Sequence, residues 1–369
     1  MIHTLICPCM FGLESVLSGE IKRLGGEDIT VTDGKVSFKG DDLMIARANI
    51  NLRTAERVLV SLGSFKATTF TELFDGVKRL PWGKYIGKAN AFPVKGYCLN
   101  SKLFSVPDCQ KIIKKAVCTA LSQKYSVSWF EETGPLMQIQ FSLFKDIATL
   151  MIDTSGYALH KRGYRKISNE APIKETIAAG IVDFARVRRD ATVYDPFCGS
   201  GTFLIEAALR ATNTAPCLNR PFAAERFTCL EKGIWDKARE EAREKILKDI
   251  PFKAYGSDID PECVKLAREN AEKAGVSEYI ELEVRDIKDF SPKTESGIIF
   301  ANPPYGERLL DIKKAHELYK TAGKVLPKEN FSKYIVCAAE DFEGSFGARA
   351  NKNRKLFNGS LRCRVYMYY

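Results

Sequence analysis

The sequence predicts an α/β protein with a doubly wound parallel sheet in its C-terminal half and smaller α+β units in its N-terminal half. From about residue 173, short apolar runs alternate with amphipathic helical segments, which is typical of a parallel sheet covered by helices on both faces. Before residue 156, the element order is instead typical of small α+β folds. A chain of 369 residues exceeds the span of one hydrophobic core, so we expect several domains.

The N-terminal half is predicted to hold two units followed by a linker. Residues 1–64 have the order strand–helix–strand–strand–helix, which favours a ferredoxin-like fold, with the second helix expected over 43–58. The second unit, 65–155, is expected to contain strands at 91–99, 138–144 and 147–153 and a helix at 107–125. Residues 156–172 form the linker and include the basic run from His160 to Lys166. Such a run is either a charged connector or a surface for a polyanion.

The C-terminal half, 173–369, carries the alternating pattern. Helices are expected at 173–186, 203–211, 261–274 and 312–325, and strands at 192–194, 253–257, 279–284, 297–301 and 334–338. We expect the last strand, 362–369, to pair antiparallel at the sheet edge. Residues 211–250 interrupt the pattern with a charged, partly helical insertion, interpreted as a lid or a strut.

Composition narrows the class of partner and the compartment. The net charge is +10, and the last 26 residues contain basic side chains and no acidic ones, which indicates contacts with nucleic-acid phosphates. Eleven cysteines without a Cys-x-x-Cys pair, together with only three histidines, predict no metal site and reduced thiols in a cytoplasmic protein. Neither a long apolar span nor a signal-like N-terminus is present in this sequence, so no membrane partner is expected.

A glycine turn follows the first strand of the alternating half. It reads Asp195-Pro196-Phe197-Cys198-Gly199-Ser200-Gly201-Thr202. Gly199 and Gly201 allow a positive φ and a close approach of backbone amides to a ligand at the carboxyl end of the strand. The spacing Gly-x-Gly-x-x-Gly is absent, which argues against NAD. Asp195 instead suits the cationic amino group of S-adenosylmethionine (SAM).

Two further acids follow the next two strands. Asp258 is expected to end one strand and to accept hydrogen bonds from ribose hydroxyls. Asp286 is expected to end the third strand and to accept a proton of the adenine amino group, while Asp260 is a weaker rival of Asp258. Successive acids at one sheet edge, behind a glycine turn, favour a nucleoside cofactor.

The segment Asn302-Pro303-Pro304-Tyr305 follows the apolar strand 297–301. The side-chain oxygen of Asn302 and the backbone carbonyl of Pro303 can accept the two N–H bonds of a planar exocyclic amine and aim its lone pair at a methyl group. Two prolines make the segment rigid and poor in donors, and Tyr305 supplies a ring on which a base can stack. The pattern predicts an N-methyltransferase site that works by orientation.

With these motifs, the chain resembles class I SAM-dependent RNA methyltransferases that carry an N-terminal THUMP domain. Within that group it is most similar to the bacterial enzymes that methylate N2 of a guanosine in 23S rRNA, the first half of the fused enzyme RlmL/K. The resemblance is strongest in four segments: His160–Arg165, Ala171–Thr176, Asp195–Thr202 and Asn302–Leu309. It implies that residues 65–155 are a THUMP RNA-binding domain and that 173–369 are a Rossmann-like methyltransferase domain.

The resemblance also implies which residues act. SAM would be bound by Asp195, Cys198, Gly199, Gly201, Asp258 and Asp286, with Pro172 beside it. Asn302, Pro303 and Tyr305 would hold the guanine. Related enzymes of the same layout methylate tRNA, so tRNA stays an alternative substrate to 23S rRNA. A DNA adenine-N6 methyltransferase and a non-catalytic RNA-binding or ribosome-assembly factor are further alternatives, and the oligomeric state is open.

Overall fold

The computed structural model describes residues 1–165, 173–305, 309–358 and 361–369. Its N-terminal half is one seven-stranded sheet of order β2-β3-β1-β4-β7-β6-β5. The elements are β1 His3–Pro8, α1 Glu14–Leu24, β2 Glu27–Thr32, β3 Lys35–Gly40, α2 Asp42–Asn51, β4 Leu59–Lys66, α3 Phe70–Lys78, β5 Val94–Leu99, α4 Val106–Tyr125, β6 Ile139–Phe144 and β7 Ile147–Asp153.

Strand β4 joins the two predicted N-terminal units. Val60 lies opposite Leu5 of β1 on one side and Ile152 of β7 on the other, so the units share a continuous sheet. The helix expected over 43–58 ends earlier, at Asn51, because the backbone turns extended at Leu52. Neither β4 nor α3 was predicted from the sequence.

The C-terminal half is a doubly wound sheet of order β10-β9-β8-β11-β12-β14-β13. Its elements are α5 Glu175–Phe184, β8 Thr192–Asp195, α6 Thr202–Ala211, α7 Ile234–Glu244, β9 Lys253–Asp258, α8 Pro261–Ala274, β10 Ile280–Val284, β11 Gly297–Ala301, α9 Leu309–Val325, β12 Phe331–Cys337, α10 Phe342–Phe346, β13 Lys352–Asn358 and β14 Leu361–Tyr368. The strand order reverses between β8 and β11, which is where ligands bind in such sheets. The predicted fold class is confirmed.

The last strand is antiparallel, as expected, but its predicted edge position is wrong. β14 lies between β12 and β13 and pairs antiparallel with both. The edge strand is β13, which the sequence interpretation missed. β13 ends at Asn358 and β14 begins at Leu361, so these two antiparallel strands form a hairpin.

The insertion 211–250 is a strut between the two halves. Arg47 of α2 donates two 2.7 Å hydrogen bonds to Glu241 of α7, and the amide of Cys217 donates to the carbonyl of Ile50. Apolar side chains of the insertion belong to the N-terminal core cluster. The insertion is therefore part of that core, which excludes the lid interpretation for the described residues.

Two side chains of the basic run, Arg162 and Tyr164, are buried rather than presented to a polyanion. The side chains of Arg162 and Glu206 are both 0% exposed, with Nε 3.2 Å from Oε1, and the hydroxyl of Tyr164 donates to the same carboxylate. His160 lies 3.2 Å from Glu56. These contacts favour the connector interpretation for Arg162 and Tyr164; Lys161 is exposed, and Lys166 lies outside the described residues.

Candidate functional site

The glycine turn closes on the neighbouring strand β9. The amide of Cys198 donates to the carbonyl of Ser257 at 2.9 Å, and the amide of Gly199 donates to Oδ2 of Asp258 at 2.9 Å. Gly199 has φ +48°, and a Cβ built on it would meet no atom within 4 Å. Gly201 has φ +80° and caps α6. The turn thus has open space above Gly199, where a flat ligand can approach the backbone.

Two carboxylates border this turn. Asp195, the last residue of β8, is 2% exposed and accepts a hydrogen bond from the amide of Phe197 at 3.1 Å. Burial raises its pKa well above the ordinary value, the Phe197 amide lowers it, and the charge of Asp258 raises it again. Among the described residues, neither carboxylate has a cation within ion-pair distance. This corner is suited to a positively charged ligand.

The other two acids differ in what they already contact. Asp258 ends β9 as predicted and also accepts from the amide of Asp260, while Asp260 caps α8. Asp286 was predicted to end the third strand, but β10 stops at Val284. It instead caps a short 3-10 turn by accepting from the amide of Lys288 and forms an ion pair with the Lys288 ammonium at 3.2 Å. These two contacts lower the pKa of Asp286.

The segment Asn302–Tyr305 follows β11 at the same sheet edge. β11 pairs with β8, with Ile299 opposite Tyr194, so the glycine turn and Asn302 leave neighbouring strands about 4.8 Å apart. Pro303 is buried, and the carbonyl of Pro304 accepts from the hydroxyl of Tyr319 at 2.9 Å. This bond anchors the segment to α9 while the Asn302 side chain stays half-buried.

The hydroxyl of Tyr305 donates to the side-chain oxygen of Asn302. Burial, followed by the thiols of Cys363 and Cys337, raises the pKa of Tyr305, so the phenol remains a donor at neutral pH. Its half-buried ring packs against the core cluster of the α9 face. The sequence interpretation missed this bond, although the spacing of three residues between the two side chains permits it.

A further contact links the site to the basic run of the linker. Nη2 of Arg165 donates to Oγ1 of Thr202 at 2.5 Å, at the first turn of α6, and Nε lies 3.4 Å from Glu175. The sequence interpretation placed Arg165 in a basic surface run and did not connect it with the glycine turn. Pro172, named as a cofactor neighbour, lies outside the described residues.

The described residues contain neither a cluster of metal ligands nor a membrane-spanning helix. No group of three His, Cys, Asp or Glu side chains within them could hold a metal ion. No helix in the described ranges is long and apolar enough to cross a membrane.

Three family models match consecutive parts of the chain. The model described as "RMKL-like, methyltransferase domain" matches residues 162–367. The models described as "RlmL ferredoxin-like domain" and "THUMP domain" match 4–59 and 67–153. The predicted ferredoxin-like, THUMP and methyltransferase units are confirmed.

Similar proteins cover nearly the whole chain. The Bacillus subtilis (strain 168) protein named "Putative RNA methyltransferase YpsC" is 45% identical, over 100% of this chain and 96% of its own. A Listeria monocytogenes crystal structure, described as a "predicted N6-adenine-specific DNA methylase", is 43% identical, with a TM-score of 0.93 over 100% and 96% of the two chains. The structure of SMU.472 complexed with SAH is 40% identical, with a TM-score of 0.93 over 100% and 98%.

Proposed function

The chain belongs to the RMKL-like methyltransferase family, and on this premise we propose that it transfers a methyl group from SAM to the exocyclic N2 amine of a guanosine in RNA. The observation that carries the proposal is the placement of the glycine turn and the Asn302–Tyr305 segment on the paired strands β8 and β11. One neighbouring strand end supplies a cofactor turn, and the other supplies acceptors for an amine.

In this proposal, the cofactor site comprises Asp195, Cys198, Gly199, Gly201, Asp258 and Asp286, with Pro172 added by the family resemblance. SAM supplies an electrophilic methyl group when bound. The buried carboxylate of Asp195 attracts the cationic amino group, and Asp258 exchanges its bond with the Gly199 amide for ribose hydroxyls. The open space above Gly199 fits the cofactor, because a Cβ built there meets no atom within 4 Å.

Asn302, Pro303 and Tyr305 hold the guanine. The side-chain oxygen of Asn302 accepts one N–H of the base amine and thereby replaces the hydroxyl of Tyr305 as its donor. The carbonyl of Pro303 accepts the other N–H, so the nitrogen lone pair faces the methyl group. Orientation and preorganised acceptors perform the catalysis, and the product proton leaves the positively charged amine without a strong base.

RNA is favoured over DNA as the substrate by the THUMP domain and by the name of the 45% identical relative. The Listeria protein is instead described as an adenine-specific DNA methylase, and the same acceptor geometry suits an adenine N6 amine. We favour 23S rRNA on the family resemblance, with tRNA as the alternative. A non-catalytic assembly role would require no methyl transfer at all.

The first experiment measures transfer of labelled methyl from SAM to rRNA, tRNA and DNA from cells that lack the enzyme. Nucleoside mass spectrometry of the products identifies the base and the atom. N2-methylguanosine in 23S rRNA supports the proposal in full, and the same nucleoside in tRNA changes only the target. N6-methyladenine in DNA, or no product, refutes it.

A second experiment tests the amine clamp. Asn302→Ala should lower kcat by roughly 10²-fold or more, because it removes one acceptor that orients the amine. SAM affinity, measured by isothermal titration calorimetry, should stay within about twofold of wild type, since Asn302 follows β11 and is not on the cofactor turn. An unchanged kcat would contradict the proposed role of Asn302.

A further inference from the structure

The β13–β14 hairpin carries a cluster of cations that the proposed mechanism does not use. Residues 344–369 contain no acidic side chain. Their basic residues are Arg349, Lys352, Arg354, Lys355, Arg362 and Arg364. Within the described residues, none of these six forms an ion pair with a carboxylate. The exposed cations among them, such as Lys355 and Arg362, can therefore contact an outside anion.

Four side chains share one face of this hairpin. Lys355 lies opposite Arg364, and Phe357 lies opposite Arg362, so all four point to the same side. Lys355 and Arg362 are exposed, Phe357 is 39% exposed, and Arg364 is half-buried. We call this set, Lys355, Phe357, Arg362 and Arg364, the basic hairpin face. The residues between, such as Leu356 and Cys363, point to the other side and are buried.

The basic hairpin face costs stability in the protein alone. Two like charges directly opposite each other on neighbouring strands repel, and the Lys355–Arg364 pair has no acid to compensate it. By contrast, Lys114 on α4 pairs with Glu132 and lies over the ring of Phe92. An unmatched like-charge pair beside an exposed aromatic ring is the pattern of a nucleic-acid contact.

The hairpin extends beyond the same end of the sheet as the candidate site, namely the end at which the parallel strands finish. Cys337, the last residue of β12, lies opposite Arg364, so residues 361–363 of β14 continue past the end of β12 by about 10 Å. This is the carboxyl end of the parallel strands, where Asn302 follows β11. The thiol of Cys363, which points away from the basic hairpin face, contributes after burial to the raised pKa of Tyr305, so β14 itself passes near the Asn302–Tyr305 segment.

The distance suits nucleotides that flank the target. β13 is three strands from β11 in the sheet, which places the two strands about 14 Å apart across the sheet. A single-stranded RNA whose target base enters between Asn302 and the glycine turn would continue along the sheet edge over β12 and β14. Its phosphates would then pass the basic hairpin face.

We propose that the basic hairpin face binds the RNA backbone next to the methylated nucleotide. Lys355, Arg362 and Arg364 contact phosphates, and Phe357 stacks on a flanking base. The inference rests on the proposed function and adds where the catalytic domain itself grips its substrate. It requires the substrate to be single-stranded or unpaired at the target.

The test compares wild type with the double variant Lys355→Ala/Arg362→Ala on the RNA fraction that wild type methylates. The matched control is Lys253→Ala/Lys273→Ala, which removes two exposed cations towards the opposite edge of the same domain. We expect the hairpin variant to raise the KM for RNA roughly tenfold, with kcat and SAM affinity within about twofold of wild type. The slope of log Kd against log[salt] should fall by about 1.4, which corresponds to two single-strand phosphate contacts.

A charge-preserving variant separates binding from folding. Lys355→Arg/Arg362→Lys should retain the wild-type KM and salt slope, because phosphate attraction depends chiefly on charge. If wild type methylates RNA but the alanine variant matches the control in KM and salt slope, the inference is overturned and the proposed function stands. If wild type methylates no RNA, the proposed function fails and the inference fails with it.

Discussion

Replacing Arg162 by leucine should destabilise the protein strongly, although the sequence places this residue in a surface-like basic run. Its guanidinium contacts both oxygens of Glu206, at 3.2 and 3.4 Å, and donates to the carbonyls of Leu159 and Arg53. Burial alone would lower the pKa of Arg162, but Glu206 more than offsets this, so the guanidinium stays charged. Without it, the carboxylate of Glu206, which is 0% exposed, keeps the hydroxyl of Tyr164 as its one side-chain hydrogen-bond donor among the described residues.

The expected loss follows from this geometry. Removing one partner of a buried ion pair costs about 3–5 kcal/mol, because the other charge remains buried and unmatched. Taking about 4 kcal/mol, and an unfolding entropy of about 2.1 cal/mol/K per residue over 369 residues, the Tm falls by about 5 °C if the chain unfolds as one unit. Because the pair joins the linker to α6, we also expect the single transition to separate into two.

Differential scanning calorimetry of Arg162→Leu, Glu206→Leu and the double variant measures both effects. The exposed neighbour provides the control, since Lys161→Ala should change the free energy of unfolding by less than about 0.5 kcal/mol. The double variant should recover part of the loss, with a coupling energy above about 1 kcal/mol. A Tm within about 1 °C of wild type for Arg162→Leu, taken as the resolution of the assay, would refute the argument from burial.

Two further predictions concern the site. Asp195→Asn should weaken SAM binding. In the protein without SAM, the substitution should raise the Tm at pH 8 more than at pH 5. The reason is that a carboxyl whose pKa is raised on folding favours the native state only at low pH and costs stability as the pH rises through its folded value. Thermal melts at both pH values with and without SAM check this, and an unchanged or lower Tm at pH 8 would contradict it. Tyr305→Phe should retain RNA affinity because it keeps the ring, whereas Tyr305→Ala should lose about 1–3 kcal/mol of binding. Filter binding and steady-state kinetics distinguish the two, and equal losses would show that the hydroxyl, rather than stacking, is what Tyr305 contributes.

The positions of the candidate site residues were largely predictable, because these residues follow strands that end on the same side of the sheet. In a parallel sheet, the position after each strand is fixed by the chain direction, so Asp195, Asp258 and Asn302 were placed correctly from local patterns alone. The hydrogen bond between Tyr305 and Asn302 was not predicted, because it depends on side-chain rotamers. The hydrogen bond from Arg165 to Thr202 was not predicted either, because it joins segments that are 37 residues apart.

The fold was less predictable where pairing is non-local. In β4, apolar and polar residues do not alternate regularly, and a glycine lies at a register shift. Its sequence therefore does not predict a strand that pairs with both β1 and β7. β13 is different, because a signal was available. Residues 352–357 lead into Asn358-Gly359, a dipeptide typical of tight hairpin turns. With that signal, the sequence predicts the hairpin and places β14 inside the sheet rather than at its edge.

The contacts between the two halves bear on how a target nucleotide is chosen. Arg53 of the N-terminal half donates to the carbonyls of Leu209 and Thr214, and Arg162 spans the same boundary. Sliding the halves apart would leave these buried charges and carbonyls without partners, at a cost of several kcal/mol, so closure of the whole molecule around RNA is disfavoured. The distance between the THUMP domain and Asn302 is then nearly fixed. On the proposed function, we therefore expect the enzyme to select a substrate by whether its THUMP-bound region and its target nucleotide match that distance, while the Tyr305 bond at Asn302 exchanges locally.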